Sequence, residues 1–252
     1  MPNLLAVDIG NSSISFGIFK GKKLIADFKL STQHKSVSFY QRAIRSSFRK
    51  LKIKEEGVRE IILCSVVPQK TPTIKNALAG IFKKKILVAG KDIPVPIKNN
   101  YRIPRQVGID RLLGAFAALK RYGPGLIIVD FGTAVTIDIV SRKSEFLGGL
   151  IFPGIDLSLD ALSHHTALLP RVTIARPQRL VGNDTVSAIT AGIVFGMAGM
   201  FDAIIQILKE KYRGYKVIAT GGSINFIKRY SSQLHTARRS LVLEGLSLLL
   251  ND

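Results

Sequence analysis

The sequence has a single cysteine, Cys64, in 252 residues, so no disulfide can form within the chain. Acidic residues are scarce: 17 Asp and Glu against 37 Lys and Arg leave a formal charge of +20. Such an excess gathers anions at the surface and suits RNA, DNA, acidic lipid or phosphorylated substrates without choosing among them. The cations are spread over many segments (Arg42, Arg45, Arg49, Lys50, Lys52, Lys54; Lys83 to Lys85; Lys209, Lys211, Arg213; Arg238, Arg239), with no helix-turn-helix, aromatic RNA-binding or zinc-finger pattern. A generally cationic surface is the reading, and a nucleic-acid partner is not expected. Long apolar runs are missing as well. Leu4 to Val7, before Asp8, is too short for a secretory core, so a cytoplasmic location is expected. Val186 to Phe201 is uncharged but falls short of the roughly 20 residues that span a bilayer. It reads as a buried helix whose Gly192, Gly196 and Gly199 permit close approach at a subunit interface. The chain also contains neither Gly-x-x-x-x-Gly-Lys-Ser/Thr nor Gly-x-Gly-x-x-Gly, which removes two common phosphate cradles.

What is present is an ordered globule's composition, 46% hydrophobic and 21% charged, at a length that fits one large domain or two lobes. A repeat decides for two. Leu4-Leu5-Ala6-Val7-Asp8-Ile9-Gly10-Asn11-Ser12-Ser13 and Leu126-Ile127-Ile128-Val129-Asp130-Phe131-Gly132-Thr133-Ala134-Val135 are both apolar strands ending in Asp-x-Gly and a small polar residue. Each is followed by two strand-like runs, 14–19 and 23–30 in the first half, 135–140 and 145–151 in the second. The first half then reads as a basic amphipathic helix at 39–51, a strand at 60–66, a helix at 73–83 and a strand at 85–88. The second reads as a long helix at 184–211, a strand at 216–220, a short helix near 224–229 and a closing helix at 240–250. The expected architecture is α/β: two mixed five-stranded sheets flanked by helices, in lobes 1–115 and 116–252, with a cleft between them.

A strand that ends in Asp and turns through Gly offers a carboxylate and main-chain N–H groups at one spot, which suits a metal-bound polyphosphate. Gly10 and Gly132 admit phosphate oxygens to the backbone, while Asn11, Ser12, Ser13 and Thr133 supply neutral donors. Asp8 and Asp130 would repel bare phosphate, so a cation is required between them. An ordinary hairpin turn explains either loop alone; recurrence after matching strands argues against coincidence. Thr220-Gly221-Gly222-Ser223 fits a plain strand-to-helix turn and a nucleoside contact equally well. Gly108-Ile109-Asp110-Arg111 opens a helical run, where an acidic residue commonly caps; Arg111 beside it and Tyr101 upstream also suit a base that takes a hydroxyl proton next to a carboxylate-binding group.

At these residues the sequence resembles the type III pantothenate kinases of the acetate and sugar kinase/Hsc70/actin superfamily. The resemblance runs from Asp8-Ile9-Gly10-Asn11-Ser12 through Asn100-Tyr101, Gly108-Ile109-Asp110-Arg111, Asp130-Phe131-Gly132-Thr133-Ala134, Gly148 to Gly154 and Asn183-Asp184-Thr185 to Thr220-Gly221-Gly222. It implies duplicated ribonuclease H-like (actin-like ATPase) lobes and transfer of the γ-phosphoryl of ATP to pantothenate, the first step of coenzyme A synthesis. It assigns Asp110 as proton acceptor; Tyr101, Gly108, Ile109, Arg111 and Thr185 to pantothenate; and Asp8, Ile9, Gly10, Asn11, Ser12, Ser13, Ile14, Ser15 and Thr133 to ATP with Mg2+. Asp130 would bind a monovalent cation, K+ or NH4+, and a homodimer is implied, with His165 a candidate contributor across its interface. Ser12 and Ser13 stand where the family often has Thr and a larger residue, and the positive charge is unlike the family. The alternatives are a kinase with another acceptor, or a non-catalytic nucleic-acid-binding protein on the same scaffold.

Overall fold

The computed structural model describes residues 4–34, 36–234, 236–238 and 240–251; Arg239 lies outside the described residues. In chain order the elements are β1 (Leu4–Ile9), β2 (Ser13–Lys20), β3 (Lys23–Ser31), α1 (Val37–Lys50), β4 (Glu60–Ser65), α2 (Thr71–Phe82), β5 (Ile86–Val88), β6 (Lys98–Asn99) and α3 (Ile109–Tyr122). They continue with β7 (Leu126–Phe131), β8 (Ala134–Val140), β9 (Glu145–Pro153), α4 (Ile155–His165), α5 (Thr185–Lys211), β10 (Lys216–Thr220), α6 (Ile224–Ile227), β11 (Thr236–Arg238) and α7 (Leu241–Asn251). Two compact units result, one of residues 1–120 with 241–252 and the other of residues 121–240.

The first unit holds a sheet in the order β3-β2-β1-β4-β5. β1, β2 and β3 form an antiparallel meander, while β4 and β5 add in parallel. Alternation along the strands makes two apolar faces. Val7, Ile9, Ile14, Phe16 and Ile18 point into the core beneath α1 and α2, where Tyr40, Ile44 and Phe48 supply one helical stripe. Ser36 caps α1, accepting from the Phe39 N–H at 3.2 Å. Leu4, Ala6, Phe19, Ile62 and Cys64 occupy the other face, packed with Leu113 of α3 and with Leu243 and Leu246 of α7. A bulge interrupts the β2–β3 ladder: Phe19 pairs with Leu24 but Ile18 with Ala26, so Ile25 is the extra residue.

The second unit repeats the plan. Within it the strands run β9-β8-β7-β10-β11, again an antiparallel meander followed by two parallel strands. Its core joins Ile127, Val129, Phe131, Val135 and Ile137 with Phe201 and Ile205 of α5. Asp184 and Ser187 form a reciprocal capping box that starts α5. By length and composition α5 is long and apolar enough to cross a membrane; one side of it, including Thr190, Val194, Met197, Phe201 and Ile205, is buried.

Three features depart from the sequence expectation. The closing helix α7, counted with the second half, packs on β1, β2 and β4 of the first unit. Its apolar side covers a sheet face also covered by α3, and Gly245 lets it come close: a Cβ there would lie 2.5 Å from the Leu113 carbonyl oxygen. The boundary at 115 also moves into α3 near residue 120. Finally, α4 and the two- and three-residue strands β6 and β11 carried no periodic signal long enough to read.

Candidate active site

Asp8 sits one residue before the end of β1, facing Ser15 of β2 on one side and Cys64 of β4 on the other. The turn after it is closed by its own backbone. Gly10 N–H donates to the Ser13 carbonyl (3.1 Å), the Thr32 N–H to the Ser12 carbonyl (3.2 Å), the Thr32 hydroxyl to the Gly10 carbonyl (2.8 Å) and the Val66 N–H to the Ile9 carbonyl (3.1 Å). Ile9 and Ile14 are fully buried core residues, so only their main chain is available to a ligand. Asn11 and Ser12 are exposed at the tip.

Asp110 lies in the first turn of α3, on the face of the sheet that carries Asp8 and Cys64. Gly108 makes room for it: a Cβ on Gly108 would strike Asp110 Oδ1 and lie 3.6 Å from Val66 Cγ1, just past β4. Asp110 Oδ1 accepts from the Arg111 N–H at 2.8 Å. Burial raises the Asp110 pKa above the ordinary carboxylate value, against hydrogen bonding and charge from Arg111. Burial and the Asp110 charge push Asp8 to about 6, while Cys64 and Lys29 pull it down. Cys64 is pushed well above a normal thiol by burial and by both carboxylates, so it stays protonated and donates from Sγ to Asp8 Oδ1 at 3.4 Å. Asp8, Cys64 and Asp110 therefore form one electrostatic cluster with excess negative charge, an environment that a divalent cation would relieve.

The second Asp-x-Gly turn is built differently. Asp130 pairs with Thr136 and Thr220 across its neighbouring strands. Phe131 C=O accepts from the Ser223 N–H at 3.2 Å, and Thr133 C=O from the Gly154 N–H at 3.0 Å. Two glycines clamp the turn. A Cβ on Gly221, whose φ is +103°, would sit 2.5 Å from three Phe131 backbone atoms; one on Gly154 would collide with the Thr133 carbonyl and lie 2.5 Å from that of Gly132.

The remaining predicted residues are spread along the chain. Tyr101 follows β6, its N–H bonded to Asn99 Oδ1 at 3.0 Å. Ile109 and Arg111 flank Asp110 on α3. Thr185 is the first residue of α5, exposed, in the second unit. His165 is exposed at the end of α4. The structure thus brings Asp8, its turn, Gly108, Asp110 and Arg111 together within the first unit. Sequence reasoning missed Cys64, whose only signal was a lone thiol in a buried strand, and the clamping role of Gly154.

A model of the type III pantothenate kinase family matches residues 4–207. The chain belongs to the type III pantothenate kinase family. The type III pantothenate kinase of Persephonella marina is 42% identical over 245 residues, 96% of each chain, and that of Finegoldia magna 39% identical over 254 residues, 99% of this chain and 97% of the other. Among solved structures, the activator of 2-hydroxyisocaproyl-CoA dehydratase from Clostridium difficile, with bound ADPNP, superposes with a TM-score of 0.54 at 12% identity, covering 98% of this chain and 93% of that one. That likeness carries the fold: duplicated ribonuclease H-like units of the actin-like ATPase type.

Proposed function

We infer that this pantothenate kinase family member transfers the γ-phosphoryl group of ATP to the 4′-hydroxyl of pantothenate, the opening step of coenzyme A synthesis. The observation that carries the reading is Asp110 at the head of α3, over the sheet face that carries Asp8, with its pKa raised by burial. In the reaction Asp110 accepts the hydroxyl proton, the freed oxygen attacks the γ-phosphorus, and the bond to the β,γ-bridging oxygen breaks to release ADP. A base whose pKa is lifted toward the working pH is suited to that step, typically worth about 10² to 10⁴ in rate. Phosphoryl transfer otherwise needs placement and neutralisation of charge.

Asp8 through Ser15 and Thr133 are assigned to ATP. Magnesium, when bound, would neutralise phosphate charge, and Asp8 is the residue to hold it: its carboxylate lies beside that of Asp110, which raises its pKa. Asp130, at the head of the second Asp-x-Gly turn, is assigned a monovalent cation, K+ or NH4+. Tyr101, Gly108, Ile109, Arg111 and Thr185 are assigned to pantothenate, Arg111 as the cation for its carboxylate. A homodimer is supported by the exposed side of α5, where Gly192, Gly196 and Gly199 have nothing within 4 Å of a would-be Cβ; light scattering at a protomer mass would overturn it. The cytoplasm is the proposed location.

The decisive measurement is ADP production coupled to a chromogenic readout, with and without pantothenate. Strong stimulation by pantothenate is expected. Equal rates in its presence and absence would reject the reading.

A further inference from the structure

Lys29 was not singled out by any motif, yet the ladder of the first sheet aligns it with the acidic cluster. Asp8 pairs with Ser15, Ser15 pairs with Lys29, and Asp8 pairs with Cys64 on its other side. Directly paired residues on adjacent strands project from the same face. Lys29, Ser15, Asp8 and Cys64 are therefore one row across four strands, on the face over which α3 brings Asp110. Two strand spacings, about 9.6 Å, separate the Lys29 and Asp8 backbones, and the row itself is open at its Lys29 end: Cys64 is buried, Asp8 and Ser15 half-buried, Lys29 exposed. The row places an ammonium at the open edge of a site that holds the acids Asp8 and Asp110, with Arg111 beside Asp110 and Asp27 next to Lys29 on its own strand face.

An exposed lysine on an edge strand is ordinarily a solvated charge that discourages strand pairing. Two observations set Lys29 apart from Lys20, Lys22 and Lys23 at the other end of the same hairpin. It stands in the Asp8 row through its pairing with Ser15, and it reaches that face only because of the bulge at Ile25. Were Ile25 paired in step rather than bulged, the register that starts at Lys20–Lys23 would set Phe28, not Lys29, opposite Ser15. The fold spends an irregularity to keep Phe28 stacked on Phe16 in the core, 4.6 Å between ring centroids, and Lys29 beside the phosphate turn.

We propose that Lys29 is a further catalytic residue of the kinase: its ammonium contacts the triphosphate of ATP at the Asp8 turn and offsets the negative charge gathered there by Asp8, Asp110 and the phosphates. The proposal rests on the pantothenate kinase reading for its acceptor but not for its nucleotide. The general physics is that a cation aimed at a phosphoryl group in flight is effective where carboxylates and phosphates already crowd together.

The test uses the full chain with Lys29→Met, which keeps the stem and removes the charge, Lys29→Arg, which restores the charge, and Lys23→Met as a control on the same hairpin. Steady-state kinetics against Mg·ATP and against pantothenate are expected to show kcat/KM for ATP at least tenfold lower in Lys29→Met, an unchanged KM for pantothenate, and values within threefold of wild type for Lys29→Arg and Lys23→Met. A folded Lys29→Met protein within twofold of wild type would overturn the proposal, as would a Lys29→Arg variant as impaired as Lys29→Met. If the unaltered protein proved inactive on pantothenate, the kinase reading would fall separately, and Lys29 would be judged by calorimetric affinity for a non-hydrolysable ATP analogue. A tenfold loss in Lys29→Met supports it there, and equal affinity rejects it.

Discussion

The two Asp-x-Gly turns come from the same plan and have been finished in opposite ways. In both, the residue after the aspartate offers its carbonyl to the chain leaving the fourth strand: Ile9 to the Val66 N–H, Phe131 to the Ser223 N–H. Beyond that they part. Four residues lie between the paired Ile9 and Ile14, three between Phe131 and Val135, so the first turn is one residue longer. The first is held by hydrogen bonds from Thr32 and meets a thiol and a second carboxylate; the second is held by the close approach of Gly154 and Gly221. Duplication preserved the sheet and the carbonyl lock, while the surroundings of each aspartate diverged toward chemistry in one unit and rigidity in the other.

That contrast can be broken experimentally. The largest effect is expected at the chemical end of the first unit: Asp110→Asn should lower kcat by about 10² to 10⁴ and leave ATP affinity nearly unchanged, as read by turnover and by calorimetry with an ATP analogue. Next comes the rigid turn. Gly221→Ala forces a side chain into a left-handed backbone against Phe131 and should cost about 3 kcal/mol of stability. Gly10→Ala, whose Cβ meets only the Ser13 carbonyl at 3.1 Å, should cost about 1 kcal/mol; urea titration of both glycine variants checks the two values.

A third effect depends on pH. The native pKa of Asp8 is about 6 against an ordinary 3.8, so between these values the folded state binds its proton more tightly than the unfolded chain does. Stability from this group is full below about pH 4 and lost as pH rises through 6. Asp8→Asn should therefore stabilise the protein at pH 7, by at most about 3 kcal/mol, and leave stability unaltered near pH 4; paired urea melts at the two pH values check it. The smallest expected effect is a several-fold loss of rate when sodium replaces potassium, which Asp130→Asn should abolish.

Most of the sheet order was legible because it rests on local signals: alternation in β2 and β8, short turns at Lys20 to Lys22 and Ser141 to Lys143, and a repeat that points to the same plan twice. Asp8, Gly108 and Asp110 were legible as motif residues. Their proximity was not, since the approach of α3 to β1 depends on helix packing rather than on spacing. Cys64 was hidden for a related reason, because parallel pairing of β4 with β1 is separated by some fifty residues and nothing local sets its register. The destination of α7 was hidden because an apolar helix matches any uncovered sheet face equally well.

The bulge at Ile25 has a consequence for how this hairpin tolerates change in length. Removing Ile25 alone would place Leu24 and Ala26 side by side opposite Phe19 and Ile18, making the ladder regular and leaving Phe28 against Phe16 and Lys29 against Ser15. Removing or adding residues two at a time at the Lys20 to Lys22 tip would leave both where they are. Related chains are thus expected to vary in the reach of this hairpin by even steps, with a single odd step silent where it removes the bulge itself.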